Sequence, residues 1–198
     1  MQEQRKERIV YTIGHSNHTL NHFLDLLRKH GIEVVVDVRS QPYSHYVPHF
    51  NQEKLKQVLP QNGIRYLYLG KELGGRPRGV EFYDEDGKVN YSRLAESEPF
   101  KQGIARLIQE LSRSRVALMC GEENPTMCHR RLLVGRVLAA EGVTVYHIRG
   151  DGRIETDDQL ETEKKVEDCK VQQLLLLPRA ANSQSMLSSR SKKAPSSF

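Results

Sequence analysis

RVALMCGEENPTMCHRRLLVGRVLAAEG, residues 115–142, changes character twice. Arg115 to Met119 is a short, mostly apolar run, the pattern of a strand buried on both faces. A polar stretch follows, rich in cysteine, carboxylate and arginine. Asn124 can then cap a helix with Pro125 in its first position. Leu133, Val137 and Leu138 recur at the spacing of one helix face, and Gly142 follows its end. Strand, loop and helix in that order are half of a βαβ unit.

Working outward, the same alternation repeats. Ile9 to Ile13, Glu33 to Val38 (EVVVDV), Tyr66 to Leu69 (YLYL) and Val143 to Ile148 (VTVYHI) read as further strands, mostly β-branched or aromatic. Thr19 can cap a helix whose Leu20, Phe23, Leu24 and Leu27 share a face, with Gly31 as its stop. Asn51 to Leu59 and Tyr91 to Leu111 carry more helical pattern, the latter broken near Pro99. The expected fold is α/β: a mostly parallel central sheet with helices on both faces, in a Rossmann-like three-layer arrangement. Residues 1–153 are expected to form one domain. Residues 154–198 are expected to be a C-terminal extension. Its last sixteen residues hold seven serines and no periodicity, so that part is expected to be disordered.

Charge narrows the partners. The net charge is +5. Eight acidic and eight basic residues cancel after residue 150, so the whole excess lies in the expected domain. A basic core favours an anionic small molecule or nucleic acid. No run approaches the roughly 20 apolar residues that span a bilayer, so no membrane partner is expected. The three cysteines, Cys120, Cys128 and Cys169, are too few and odd in number for a disulfide framework. With no signal-like N-terminus, a cytoplasmic protein is expected. The oligomeric state has no signal.

In open α/β sheets, ligands bind outside the carboxyl ends of the strands. Here those ends carry dense polar clusters: Gly14-His15-Ser16 after the first strand, Asp37 to His45 after the second, Gly70 to Gly79 after YLYL, Cys120 to Glu123, and Arg149 to Asp151. Five such clusters on one rim predict a single composite site. Cys128, in the first turn of a helix beside His129, Arg130 and Arg131, is expected to have a depressed pKa. Cys120 sits at the preceding strand end, and a redox pair of the two cysteines is an alternative reading. Asp37 and Arg39 share one side of their strand, as an ion pair or as an acid and an anion clamp. Tyr43, Tyr46 and Phe50 with His45 and His49 offer stacking faces or a small core. His18 and His22, four apart, resemble a metal-ligand spacing without a third partner. GxxxxGK[ST] and GxGxxG are both absent, so no standard nucleotide signature is present and no cofactor is required.

Taken together, the GHS start, the D-x-R-x-x-P-x-S segment and the C-x-E-x-x-P-x-x-C-H-R segment resemble the domain-of-unknown-function family 488. The resemblance covers roughly Ile9 to Arg149. Its motif residues fall on His15, Ser16, Asp37, Arg39, Pro42, Ser44, Cys120, Glu122, Cys128, His129 and Arg130. It implies an α/β fold and a bacterial or archaeal cytosolic setting, and supplies no activity. The tail after Arg149 is atypical of it.

The functional expectation is a thiol-dependent enzyme acting on an anionic substrate, a nucleotide or nucleic acid among the candidates. Cys128, or otherwise Cys120, is the expected nucleophile. Glu122, Asp37 or His15 would move protons. Arg39, Arg130 and Arg76 would hold negative charge, with Ser16, Ser44 and His129 also contacting substrate. One alternative is a non-catalytic nucleic-acid-binding module. Another is a metal-dependent hydrolase using Cys120, Cys128 and a rim histidine; His15, His18 and His45 are the candidates.

Overall fold

The computed structural model describes residues 8–162. Cys169 and the serine-rich end lie outside the described residues. The strands are β1 (Arg8–Gly14), β2 (Val34–Asp37), β3 (Arg65–Tyr68), β4 (Val116–Cys120), β5 (Val143–Ile148) and β6 (Ile154–Thr156). They form one sheet in the order β3-β2-β4-β1-β5-β6. The first five strands are parallel and β6 is antiparallel to β5. The sheet therefore continues past residue 153, and a further helix begins at residues 157–162.

Helices cover both faces, as the alternating pattern requires. On one face lie α1 (Leu20–Lys29) and α2 (Gln52–Gln61), whose Phe23, Leu24, Leu27, Leu55 and Leu59 pack on Tyr11, Ile13, Val35 and Met119. On the other lie α3 (Gly70–Leu73), α4 (Tyr91–Glu96), α5 (Glu98–Leu111) and α6 (Arg136–Ala140). There Leu73, Leu94, Phe100, Leu107 and Leu138 pack on Val34, Val36, Val116 and Leu118. Alternate residues of β2 thus serve opposite cores, the strand period made visible. Fully burying each of these large side chains contributes about 1.5–3 kcal/mol. Among the described residues no helix is long and apolar enough to cross a membrane.

Local chemistry sets the ends. The Thr19 hydroxyl accepts from the His22 amide at 3.2 Å, capping α1. Gly31, at φ 60°, turns the chain out of it. Pro99 lies at the start of α5, so the break expected near it falls at Ser97.

The helix after β4 departs from expectation. Asn124 caps only a 3-10 turn, Pro125–Met127, and Cys128 is extended. Its carbonyl accepts from the Leu132 amide at 3.0 Å, so Cys128 precedes the helix rather than lying in its first turn. A π-helical segment, Arg130–Gly135, then leads into α6. The wider coil buries Arg130, Arg131, Leu133 and Val134 together.

Connectivity places the crevice. After β2 the chain moves outward to β3; after β4 it crosses β1 to reach β5. Neighbours β2 and β4 therefore send their connections in opposite directions, the switch point at which such sheets open a binding cleft.

Candidate active site

A hollow of about 490 Å³ opens at that point, lined by Arg39, Ser40, Tyr43, Arg76, Tyr91, Cys120, Glu122, Met127 and His129. Four separate stretches of chain meet there. Backbone pairing carries β1 and β4 past their ends: His15 donates to the Cys120 carbonyl at 3.0 Å and Ser16 to Gly121 at 2.8 Å. Only glycine fits at position 14, because a Cβ there would lie 1.9 Å from the Glu122 carbonyl oxygen.

Cys120, 7% exposed, lines the hollow and Cys128 lies behind it, 2% exposed. Both are free thiols. The two sulfurs and a ring nitrogen of His129 lie within 4.8 Å of one another. His129 Nδ1 is 3.7 Å from the Cys120 sulfur and 3.9 Å from that of Cys128. Its Nε2 lies 2.9 Å from the Val38 carbonyl, which can only accept, so Nε2 carries a proton and Nδ1 faces the sulfurs. A Cβ on Gly75 would come within 2.6 Å of this ring, so the Gly74-Gly75 turn seats the imidazole from the other side.

The two thiols are not equivalent. The Cys128 thiol donates to the Cys120 sulfur, which together with Arg130 and the amides of the following loop lowers the Cys120 pKa to about 7 despite its burial. The same hydrogen bond, with burial, pushes Cys128 up. The depressed pKa expected at Cys128 is thus found at Cys120. Cys128 still stands at the start of the helix, its carbonyl accepting from the Leu132 amide, but the proton it shares with Cys120 and its burial outweigh that position.

Other expected roles also change. Arg39 donates to both Asp37 oxygens, at 2.9 and 2.6 Å, and Tyr66 donates to the same carboxylate at 2.7 Å. Asp37 has no exposed surface, so it positions Arg39 rather than moving a substrate proton. His15 donates from Nδ1 to the Ser16 carbonyl at 2.8 Å and accepts from Arg39 at Nε2, 3.0 Å. Burial, then the adjacent guanidinium, lowers its pKa to about 4, so it is a neutral prop for Arg39 and not a base. Arg130 is fully buried and donates to the Glu122 and Glu123 carbonyls and to Thr12. It braces the loop, and its full burial keeps it out of the hollow's lining. The Ser44 hydroxyl accepts from the Tyr46 and Val47 amides and holds its own turn. Ser16 does not line the hollow; its φ of 45° serves the turn after β1.

The expected aromatic group divides. Phe50 is buried and stacks on His15 at 4.4 Å, whereas Tyr43 and Tyr46 are 65% and 96% exposed. His22 donates to the Gly150 carbonyl at 2.7 Å, which commits it elsewhere. Ser40, Tyr91 and Met127 line the hollow without having been singled out. Tyr91 comes from a helix start thirty residues upstream of Gly121, and nothing local in the sequence signals its placement.

Cys120, Cys128 and His129 are the group among the described residues whose atoms converge as metal ligands would. Of the expected rim histidines, none belongs to it.

Fold and site together define an α/β domain with a cysteine- and arginine-lined hollow at its switch point. The chain belongs to the family described as Domain of unknown function DUF488, whose model matches residues 19–137. No curated protein matches it.

Proposed function

We propose that the protein is a thiol-dependent enzyme for an anionic substrate, with Cys120 as the attacking sulfur. The observation that carries this is the Cys120 sulfur at the hollow wall, held toward thiolate by the Cys128 thiol and facing His129 Nδ1. Thiolate, not thiol, is the nucleophile. Arg39 and Arg76 would bind the substrate's negative charge. Glu122, exposed at the mouth, would protonate the departing group. Nucleotides and nucleic acids are the substrate class that best suits the basic domain. Two free thiols this close suit a reducing, cytoplasmic setting.

Alkylation by iodoacetamide, mapped by mass spectrometry against pH, tests the assignment. Cys120 should react with a midpoint near pH 7, fast on the high-pH side where the thiolate exists, and Cys128 should react last. Replacing the donor in Cys128→Ala should move the Cys120 midpoint upward. A Cys120 midpoint like that of a free thiol, about 8.5, would sink the reading.

A second reading has one specific observation behind it. In a tetrahedral zinc site with bonds of about 2.3 Å to sulfur and about 2.0–2.1 Å to nitrogen, sulfur and nitrogen lie roughly 3.6 Å apart. The 3.7 and 3.9 Å found here are near that, and the Val38 carbonyl holds His129 as an outer partner would. This supports a metal-dependent hydrolase in which Cys120, Cys128 and His129 would hold the ion and the ion would supply an activated water. Elemental analysis of untagged protein decides between them: one bound zinc per chain would replace thiolate attack, and active metal-free protein would end the metal reading.

A further inference from the structure

The hollow at Cys120 does not end at Arg76. A second hollow, of about 470 Å³, shares Ser40 and Arg76 with it and is lined by Tyr68, Lys71, Arg78 and Phe82. The two adjoin along the Gly70–Gly79 segment. Ser40 fastens that segment: its hydroxyl accepts from the Arg76 amide at 2.9 Å, and a Cβ on Gly74 would lie 2.4 Å from the same oxygen. Arg76 is thereby held where the two hollows meet.

Three cations line this path: Lys71, Arg76 and Arg78. All are exposed, and none forms an ion pair among the described residues. This is unlike Arg106, Arg131 and Arg149, each of which is spent on a carboxylate. Unspent cations lining two adjoining hollows suit a ligand with more than one negative charge. Aromatic rings line the same hollows: Tyr43 and Tyr91 the first, Tyr68 and Phe82 the second. Cations tracking a backbone with rings beside them are the elements of a single-strand groove.

We infer that the ligand of the two joined hollows is a short single-stranded oligonucleotide. Its phosphates would lie along Lys71, Arg76 and Arg78, with one base entering the hollow beside Tyr43 and Tyr91 toward Cys120. A duplex is excluded by depth. Cys120 is 7% exposed, and a base within a stack cannot reach an atom so recessed. The inference rests on the proposed thiol chemistry for what happens at Cys120 and for the exclusion of a duplex; the cationic groove stands without it.

The test uses the full chain with a 5′-fluorescein ten-nucleotide single strand, as DNA and as RNA, read by anisotropy from 50 to 300 mM salt. Three phosphate contacts predict a log–log salt slope of about −2. Arg76→Ala and Arg78→Ala should each flatten the slope by roughly 0.7. Tyr43→Ala, at a solvent-exposed ring, should weaken binding about tenfold with the slope unchanged. Bound strand should slow alkylation of Cys120. No binding at 50 mM salt, tighter binding of the matching duplex, or affinity indifferent to Lys71, Arg76 and Arg78 would overturn the inference. Protection of Cys120 by a mononucleotide alone would overturn it in favour of a small substrate. An unreactive Cys120 beside normal strand binding would instead defeat the thiol reading and leave the groove standing.

Discussion

Glu122 and Glu123 are adjacent in the chain and belong to opposite halves of the rim. Glu123 is drawn toward β5, where Arg149 donates to both its oxygens at 2.9 and 3.0 Å and the Gly150 amide adds a third bond. Arg149 also pairs with Glu155 at 2.6 Å. Glu122 points the other way and lines the hollow with Cys120, Arg76 and His129. Both halves looked equally polar in sequence. In one, the charges satisfy each other; in the other, Arg76, Glu122 and the Cys120 sulfur remain available. The difference teaches that a site is marked less by how many polar groups gather than by how many are left uncommitted.

Substitutions can break that contrast at three strengths. Asp37→Asn should act most, because it strips a buried charge from Arg39 and leaves the guanidinium without its counter-ion. A loss of about 3–5 kcal/mol is expected in urea unfolding, with Arg39 freed from its fixed pose. A variant as stable as the parent would show that the pair is not what positions Arg39. Glu123→Gln should cost at most about 1 kcal/mol, since Glu123 and Arg149 are partly solvated, and should leave Cys120 alkylation unchanged. Altered alkylation there would mean the halves are coupled through their shared loop. Glu122→Gln should shift stability by less than about 0.5 kcal/mol, yet change the reactivity of the hollow toward anionic alkylating reagents. A stability loss as large as that of Glu123→Gln would remove Glu122 from the uncommitted group.

Much of this fold was legible in the chain. The five parallel strands fall where apolar runs predicted them, with ends shifted by at most a residue; β2 and β4, buried along their whole length, gave the plainest runs. β6 was not legible. It has three residues, and its inward Glu155 is tolerable only because Arg149 and Arg153 reach it, a fact that appears in three dimensions alone. The gathering of Cys120, Arg39 and Arg76 followed from the strand-end rule. The roles did not. Arg130 and Arg39 are both rim arginines, but one is consumed by backbone carbonyls and the other lines the hollow. Nor does spacing reveal which of two nearby thiols donates. That depends on Cys128 being extended and set behind Cys120, where local helix signals predicted a first turn.

The π-helical segment at Arg130–Gly135 gives the molecule a dependence on length as well as on identity. It holds surplus chain within a turn. Deleting a single residue from it would let the coil relax to regular α-helix, and what precedes it would rotate by about 100° relative to α6. Arg130 would then leave the carbonyls it braces and His129 would swing away from the sulfurs, with every side chain of the hollow still encoded. A one-codon deletion outside the hollow's lining would thus take the hollow apart without replacing any residue that forms it.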